Sequence, residues 1–185
     1  IRLHMTIYRK DYQTPSYATT HVDLDIQLDP ENTTIKSTLN IIKNGEHNEP
    51  LALFGEDMKL MSIELNGRTL KDNDYSVDDK QLHIKKMPEH AQLEIVVNIN
   101  PKDNQTLMGL YMSQNIFCTQ CEPHGFRRIT YSQDRPDVLS IYTTRLKAPK
   151  KHWPLLLSNG NPSDEGTDNT YSWVTWHDPF PKPSY

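Results

Sequence analysis

Apolar and polar residues alternate along most of this chain at the two-residue period of an extended strand. Val22, Leu24, Ile26 and Leu28 share one phase and His21, Asp23, Asp25 and Gln27 the other, which predicts a strand buried on one face. Pro30-Glu31-Asn32 interrupts the pattern, and Ile35, Ser37, Leu39 and Ile41 resume it. Met61, Ile63 and Leu65 lead into Asn66-Gly67, a dipeptide favoured in two-residue hairpin turns. Tyr75–Val77 and Leu82–Ile84 flank Asp78-Asp79-Lys80 and predict a second hairpin. Leu93, Ile95, Val97 and Ile99 give the cleanest alternation, ended by Pro101.

Farther along, Gly109–Met112 and Ile116–Cys121 read as strands joined through Ser113-Gln114-Asn115. Val138–Lys147 and His152–Leu157 are further strand candidates, Ser158–Thr170 reads as a polar loop, and Tyr171–Trp176 returns to strand. No segment keeps a 3.6-residue apolar period over ten positions, which leaves only short helical turns near Gly125–Ile129 and Arg135–Leu139. Many short strands with turn signals between them predict an all-β, sandwich-like fold of mostly antiparallel strands. A length of 185 residues suits a single domain over 1–185, with Ile1–His4, ahead of the first methionine, set aside. Three prolines within Asp178–Tyr185 predict a rigid connector and a chain that continues past Tyr185.

Composition narrows the function. A net charge of -4 and a pI near 6.1 argue against a nucleic-acid partner. No apolar run is long enough to span a bilayer, so no membrane partner is expected. Cys118 and Cys121 form a C-x-x-C pair without the second ligand pair a zinc site of that type needs. On an extended segment they point to opposite faces, so two packed thiols in a reducing compartment are preferred over redox or metal chemistry.

Gln120 and Glu122 stand at i and i+2, which on a strand places both side chains on one face together with Cys118. A carboxylate beside a neutral amide suits a protonated primary amine: one supplies charge, the other an oriented acceptor. A solvated strand face explains the same two residues. Asp23 and Asp25 read as the polar face of a strand, and Asp78-Asp79 as turn chemistry. Trp173 and Trp176 fall on opposite strand faces, one expected in the core and the other at an interface.

The run from Gly109-Leu110-Tyr111-Met112-Ser113 through Gln120-Cys121-Glu122 to Arg135-Pro136-Asp137-Val138 resembles zinc aminopeptidases of the aminopeptidase N type. So do Tyr8-Arg9-Lys10-Asp11-Tyr12, Leu156-Leu157-Ser158-Asn159-Gly160-Asn161, and Trp176 with Asp178-Pro179-Phe180-Pro181-Lys182-Pro183. The resemblance implies a β-structured N-terminal domain packed over a thermolysin-like catalytic domain. It implies that Gln120 and Glu122 bind the α-amino group of a peptide substrate, with Glu122 favouring plain aminopeptidase specificity over that of leukotriene-hydrolase-like relatives. A cytoplasmic, zinc-dependent parent enzyme follows, whose partners are the substrate N-terminus and its own catalytic domain.

The family's His-Glu-x-x-His helix and Gly-x-Met-Glu-Asn segment are missing from these residues, and eight histidines are scattered singly. No catalytic residue, metal ligand or bound cofactor is therefore expected within the chain, which by itself should be inactive. A free-standing binding module and a non-catalytic paralogue are the alternatives.

Overall fold

The computed structural model describes residues 8–185, so Ile1–His4 lie outside the described part. In chain order the strands are β1 (Tyr17–Gln27), β2 (Thr33–Lys43), β3 (Leu51–Phe54), β4 (Lys59–Leu65), β5 (Arg68–Thr69), β6 (Tyr75–Val77) and β7 (Gln81–Ile84). β8 (His90–Ile99), β9 (Gly109–Ser113), β10 (Ile116–Gln120), β11 (Ser140–Pro149), β12 (Asn161–Thr167) and β13 (Tyr171–Lys182) complete them. A large sheet runs β12-β13-β11-β1-β2-β8-β4-β5, a small one β3-β7-β6, and β9 with β10 forms a separate hairpin. All pairings are antiparallel except β1 with β11. The all-β expectation holds. Among the described residues no helix is long and apolar enough to cross a membrane.

Turn chemistry sets the registers. Asn66 and Gly67 both take positive φ, 51° and 77°, and Leu65 pairs with Arg68 across them. Both central residues of a type I′ turn need that conformation, which is why the dipeptide is diagnostic. Asp78 Oδ1 accepts the Lys80 and Gln81 N–H groups and closes the turn between β6 and β7.

The alternating positions meet between the sheets. Ile35, Leu39, Leu93, Ile95 and Val97 from β2 and β8 are fully buried, as are Leu51, Leu53 and Leu82 from the small sheet. Each such side chain contributes about 1.5–3 kcal/mol on leaving water. Polar contacts lie in this layer too: the hydroxyls of Ser37 and Thr130 meet at 2.8 Å, and Ser37 Oγ lies 3.4 Å from Ile95 O.

Over β1 and β11 the inward side chains Leu24, Ile26, Leu28, Tyr142 and Leu146 face a cleft closed in part by the β9–β10 hairpin.

Three expectations need correction. His152–Leu157 is not a strand: the His152 and Trp153 N–H groups both turn back to Pro149 O, and the segment then lies across the cleft. Ser158–Thr170 is not simply a loop, since it contains β12. As an edge strand with exposed side chains, β12 has no apolar phase to betray it. Its Gly166 lies beneath the Trp173 ring, 2.2 Å from where a Cβ would stand, so aromatic cover replaces side-chain alternation. Neither Trp173 nor Trp176 is in the buried core, although their pairing does place them on opposite faces. Of the two expected helical turns, Phe126–Arg128 forms a 3-10 turn, while Pro136-Asp137 makes a single turn closed by Val138 N–H to Arg135 O.

The N-terminal segment is held by charge. Arg135 forks onto Asp137 at 2.8 and 2.7 Å, Tyr12 donates to Asp137 at 3.0 Å, and Arg135 also reaches Gln13 O. The guanidinium holds the Asp137 carboxyl down at about 2, against an ordinary value of 3.8. A depressed folded-state value contributes stability above the unfolded value and loses it as pH falls. Asp137→Asn is therefore expected to destabilise the chain at pH 7 and much less near pH 2, as read by chemical denaturation at both.

Candidate functional site

The β9–β10 hairpin turns through Gln114 and Asn115, with Gln114 at φ 56°, and pairs Ile116 with Ser113 through to Gln120 with Gly109. Its tip is fixed from outside. Trp153 Nε1 donates to Asn115 O at 2.9 Å, and the Trp153 ring packs 5.0 Å from that of Phe117.

β10 stops at Gln120, so Glu122 stands in the following turn rather than on the strand. The expectation that strand geometry puts Cys118, Gln120 and Glu122 on one face is corrected accordingly. Gln120 and Glu122 nevertheless line the same cleft, together with Thr119 and Cys121, while Cys118 does not. The Gln120 Nε2 amide donates to Glu122 O at 3.3 Å, which commits its donor end to the turn and leaves Oε1 as the end available to an incoming donor.

The turn after Glu122 doubles back tightly. Gly125 N–H bonds Cys121 O at 2.9 Å, and a Cβ on Gly125 would meet Gln120 O at 2.1 Å. Only glycine lets the backbone come that close. Gly109, at φ 74°, backs onto Arg128 in the same way, with Arg128 Cβ 2.6 Å from the added carbon.

Behind the turn, Arg127 Nε donates to Asp134 Oδ2 at 2.7 Å, and its guanidinium lies 4.3 Å above the Phe54 ring. Arg128 reaches Glu56 at 2.9 Å and also contacts Asp57. The side chain of Asp134 has no solvent exposure, which makes this a buried ion pair rather than a surface one.

The cleft has a volume of about 480 Å³. Its floor is apolar, from Leu24, Ile26, Leu110, Phe126, Tyr142 and Leu146, and its rim carries the polar Gln120, Glu122 and Asn159. Exposed apolar side chains surround the mouth: Leu155 is 72 % exposed, Leu157 64 % and Ile116 64 %. Burial pushes the Tyr142 hydroxyl up to about 12, so it stays protonated in the floor.

Burial also pushes the Cys121 thiol up to about 11, with the Asp134 charge adding to the effect. Both cysteines are free. Since the thiolate is the reactive form, Cys121 is expected to alkylate about a hundredfold more slowly than an ordinary exposed thiol at pH 8. Iodoacetamide labelling followed by peptide mass mapping reads this out, and rapid labelling of Cys121 would contradict its burial.

Among the described residues no group of three or more His, Cys, Asp or Glu side chains is placed to hold a metal ion. Sequence reasoning overlooked Arg127, Asp134, Tyr142 and Trp153 as parts of the site. Asp134 and Arg127 stood within the quoted runs, but no local pattern tells a buried ion pair from two surface charges.

The sequence profile of the peptidase M1 N-terminal domain matches residues 15–185. Aminopeptidase N of Escherichia coli K12 is 43% identical over 179 residues, covering 96% of this chain and 20% of the relative. Aminopeptidase N of Caulobacter vibrioides is 47% identical over 176 residues, covering 95% and 20%. The chain thus spans about a fifth of the length of the curated relatives it matches. The crystal structure of Legionella pneumophila aminopeptidase A in complex with aspartic acid superimposes with a TM-score of 0.88 at 35% identity, over 95% of this chain and 21% of that one. An M1 zinc metallopeptidase from Deinococcus radiodurans shares the fold, with a TM-score of 0.77 at 17% identity over 93% of this chain and 41% of that one. On the profile match over 15–185 and the identity to the two aminopeptidase N sequences, this chain belongs to the peptidase M1 N-terminal domain family.

Proposed function

We propose that residues 1–185 form the single N-terminal domain of a larger zinc aminopeptidase, and that Gln120 and Glu122 anchor the α-amino group of its peptide substrates. The observation that carries the reading is the pairing of these two side chains on the rim of one apolar cleft. The Glu122 carboxylate supplies charge to an ammonium, and Gln120, oriented through its bond to Glu122 O, supplies a directed acceptor. Fixing the amine there sets the scissile bond one residue away and selects exopeptidase over internal cleavage.

The exposed Leu155, Leu157 and Ile116 around the mouth support a second part of the reading, that the catalytic domain of the same protein covers this face. A free-standing module would have little reason to expose them. Zinc would be held by residues outside this chain, in keeping with the lack of a group of three or more His, Cys, Asp or Glu placed to hold a metal among the described residues. The isolated chain should then be inactive. The free thiols support a reducing, cytoplasmic setting.

The test is cleavage by the full-length parent of an aminoacyl reporter with a free amine and of its N-acetyl form. The free amine should be cleaved and the acetylated reporter should not. Equal cleavage of both would overturn amine anchoring.

A further inference from the structure

The buried carboxylate of Asp134 joins two parts of the chain that sequence keeps far apart. Oδ2 takes the Arg127 Nε–H at 2.7 Å and the Arg127 backbone N–H at 3.3 Å. Oδ1 takes the Ser184 hydroxyl at 2.5 Å. Arg127 belongs to the 3-10 turn five residues after Glu122, and Ser184 to the segment that leaves β13 at Lys182. Lys182, Pro183 and Ser184 themselves line the cleft that Gln120 and Glu122 rim.

Asp134 is also held at φ 41°, in the left-handed region that costs a non-glycine residue energy. Arg127 Nη2 donates to Asp134 O at 3.3 Å, so one guanidinium braces both the side chain and the strained backbone. Exposed aspartates that only balance a surface arginine have neither feature.

We propose that Asp134 and Ser184 act as a latch, positioning residues that fix the amine-anchoring turn relative to the C-terminal segment leading out of the β-structure. The kinetic consequence rests on the aminopeptidase reading above. A domain attached beyond that segment would carry the reacting groups, so the latch sets the distance between them and the anchored amine. Loosening it leaves Glu122 able to bind the ammonium but holds the scissile bond out of line. That lowers kcat more than it raises KM.

Ser184→Ala removes one hydroxyl from a half-exposed position and leaves the Arg127–Asp134 pair intact, so the fold should survive. In the full-length parent this variant is expected to lower kcat about tenfold with KM within about twofold. Ser184→Thr, which restores the hydroxyl, should recover most of the loss. Backbone hydrogen exchange at Phe126–Ile129 should accelerate in Ser184→Ala and return in Ser184→Thr. Unchanged kcat with unchanged exchange would overturn the latch. A parent without aminopeptidase activity would overturn the functional reading instead. The exchange measurement then decides the latch alone, faster exchange supporting it and unchanged exchange refuting it.

Discussion

Replacing Glu122 by alanine in the full-length parent is expected to lower kcat/KM on a free-amine substrate by about 100-fold. A hydrogen bond to a charged group contributes about 1.5–3 kcal/mol, and about 2.7 kcal/mol corresponds to that factor. Glu122→Gln keeps an acceptor without the charge and should fall between the wild type and alanine. Gln120→Ala should cost about tenfold, since a neutral amide contributes about 1 kcal/mol and orients rather than attracts. Because both side chains are exposed, stability should stay within about 0.5 kcal/mol of wild type for each. Kinetics and chemical denaturation on the same preparations separate the two effects. A Glu122→Ala variant with unchanged kcat/KM would remove the anchor from the account.

The second large effect is expected at Gly125. An alanine Cβ there meets Gln120 O at 2.1 Å and Cys121 Cα at 2.8 Å, and both contacts are to backbone, which cannot rotate away. Overpacking of this kind costs about 1–3 kcal/mol. Relief can come only by moving Gln120 or the Phe126–Arg128 turn, so the anchor should be displaced as well. Gly125→Ala is thus expected to destabilise the chain and also to lower kcat/KM, with the double variant Gly125→Ala, Glu122→Ala losing less than the product of the two singles. Strict multiplicativity would show that the turn and the anchor are independent.

Much of the fold was legible because half-buried strands announce themselves. Leu93, Ile95, Val97 and Ile99 alternate, and their partners must lie inward; Asn66-Gly67 names its own turn. What escaped the reading was set by long-range contact. β12 carries exposed polar side chains and is a strand only because β13 pairs with it. His152–Leu157 is apolar enough to suggest a strand, but its apolar side chains serve the cleft and its Trp153 indole pins the β9–β10 tip. The site followed the same division. Gln120 and Glu122 were legible as a pair and through family resemblance, although the reason they share a cleft is the turn after Gln120 and not the strand period. Asp134 was not legible as buried, since its environment is assembled from Arg127, Tyr142 and Ser184, up to 50 residues away in the chain.

Amine anchoring by this domain is most directly tested by a cycle that changes the enzyme and the substrate together. The full-length parent and its Glu122→Ala variant would each be assayed on an aminoacyl reporter and on the α-hydroxyacyl analogue, in which a neutral hydroxyl replaces the ammonium. If Glu122 holds the ammonium, the substitution costs about 100-fold on the amine and less than about threefold on the hydroxyl analogue. An equal loss on both substrates would mean that Glu122 supports the structure of the site without touching the amine, and the central claim would fail.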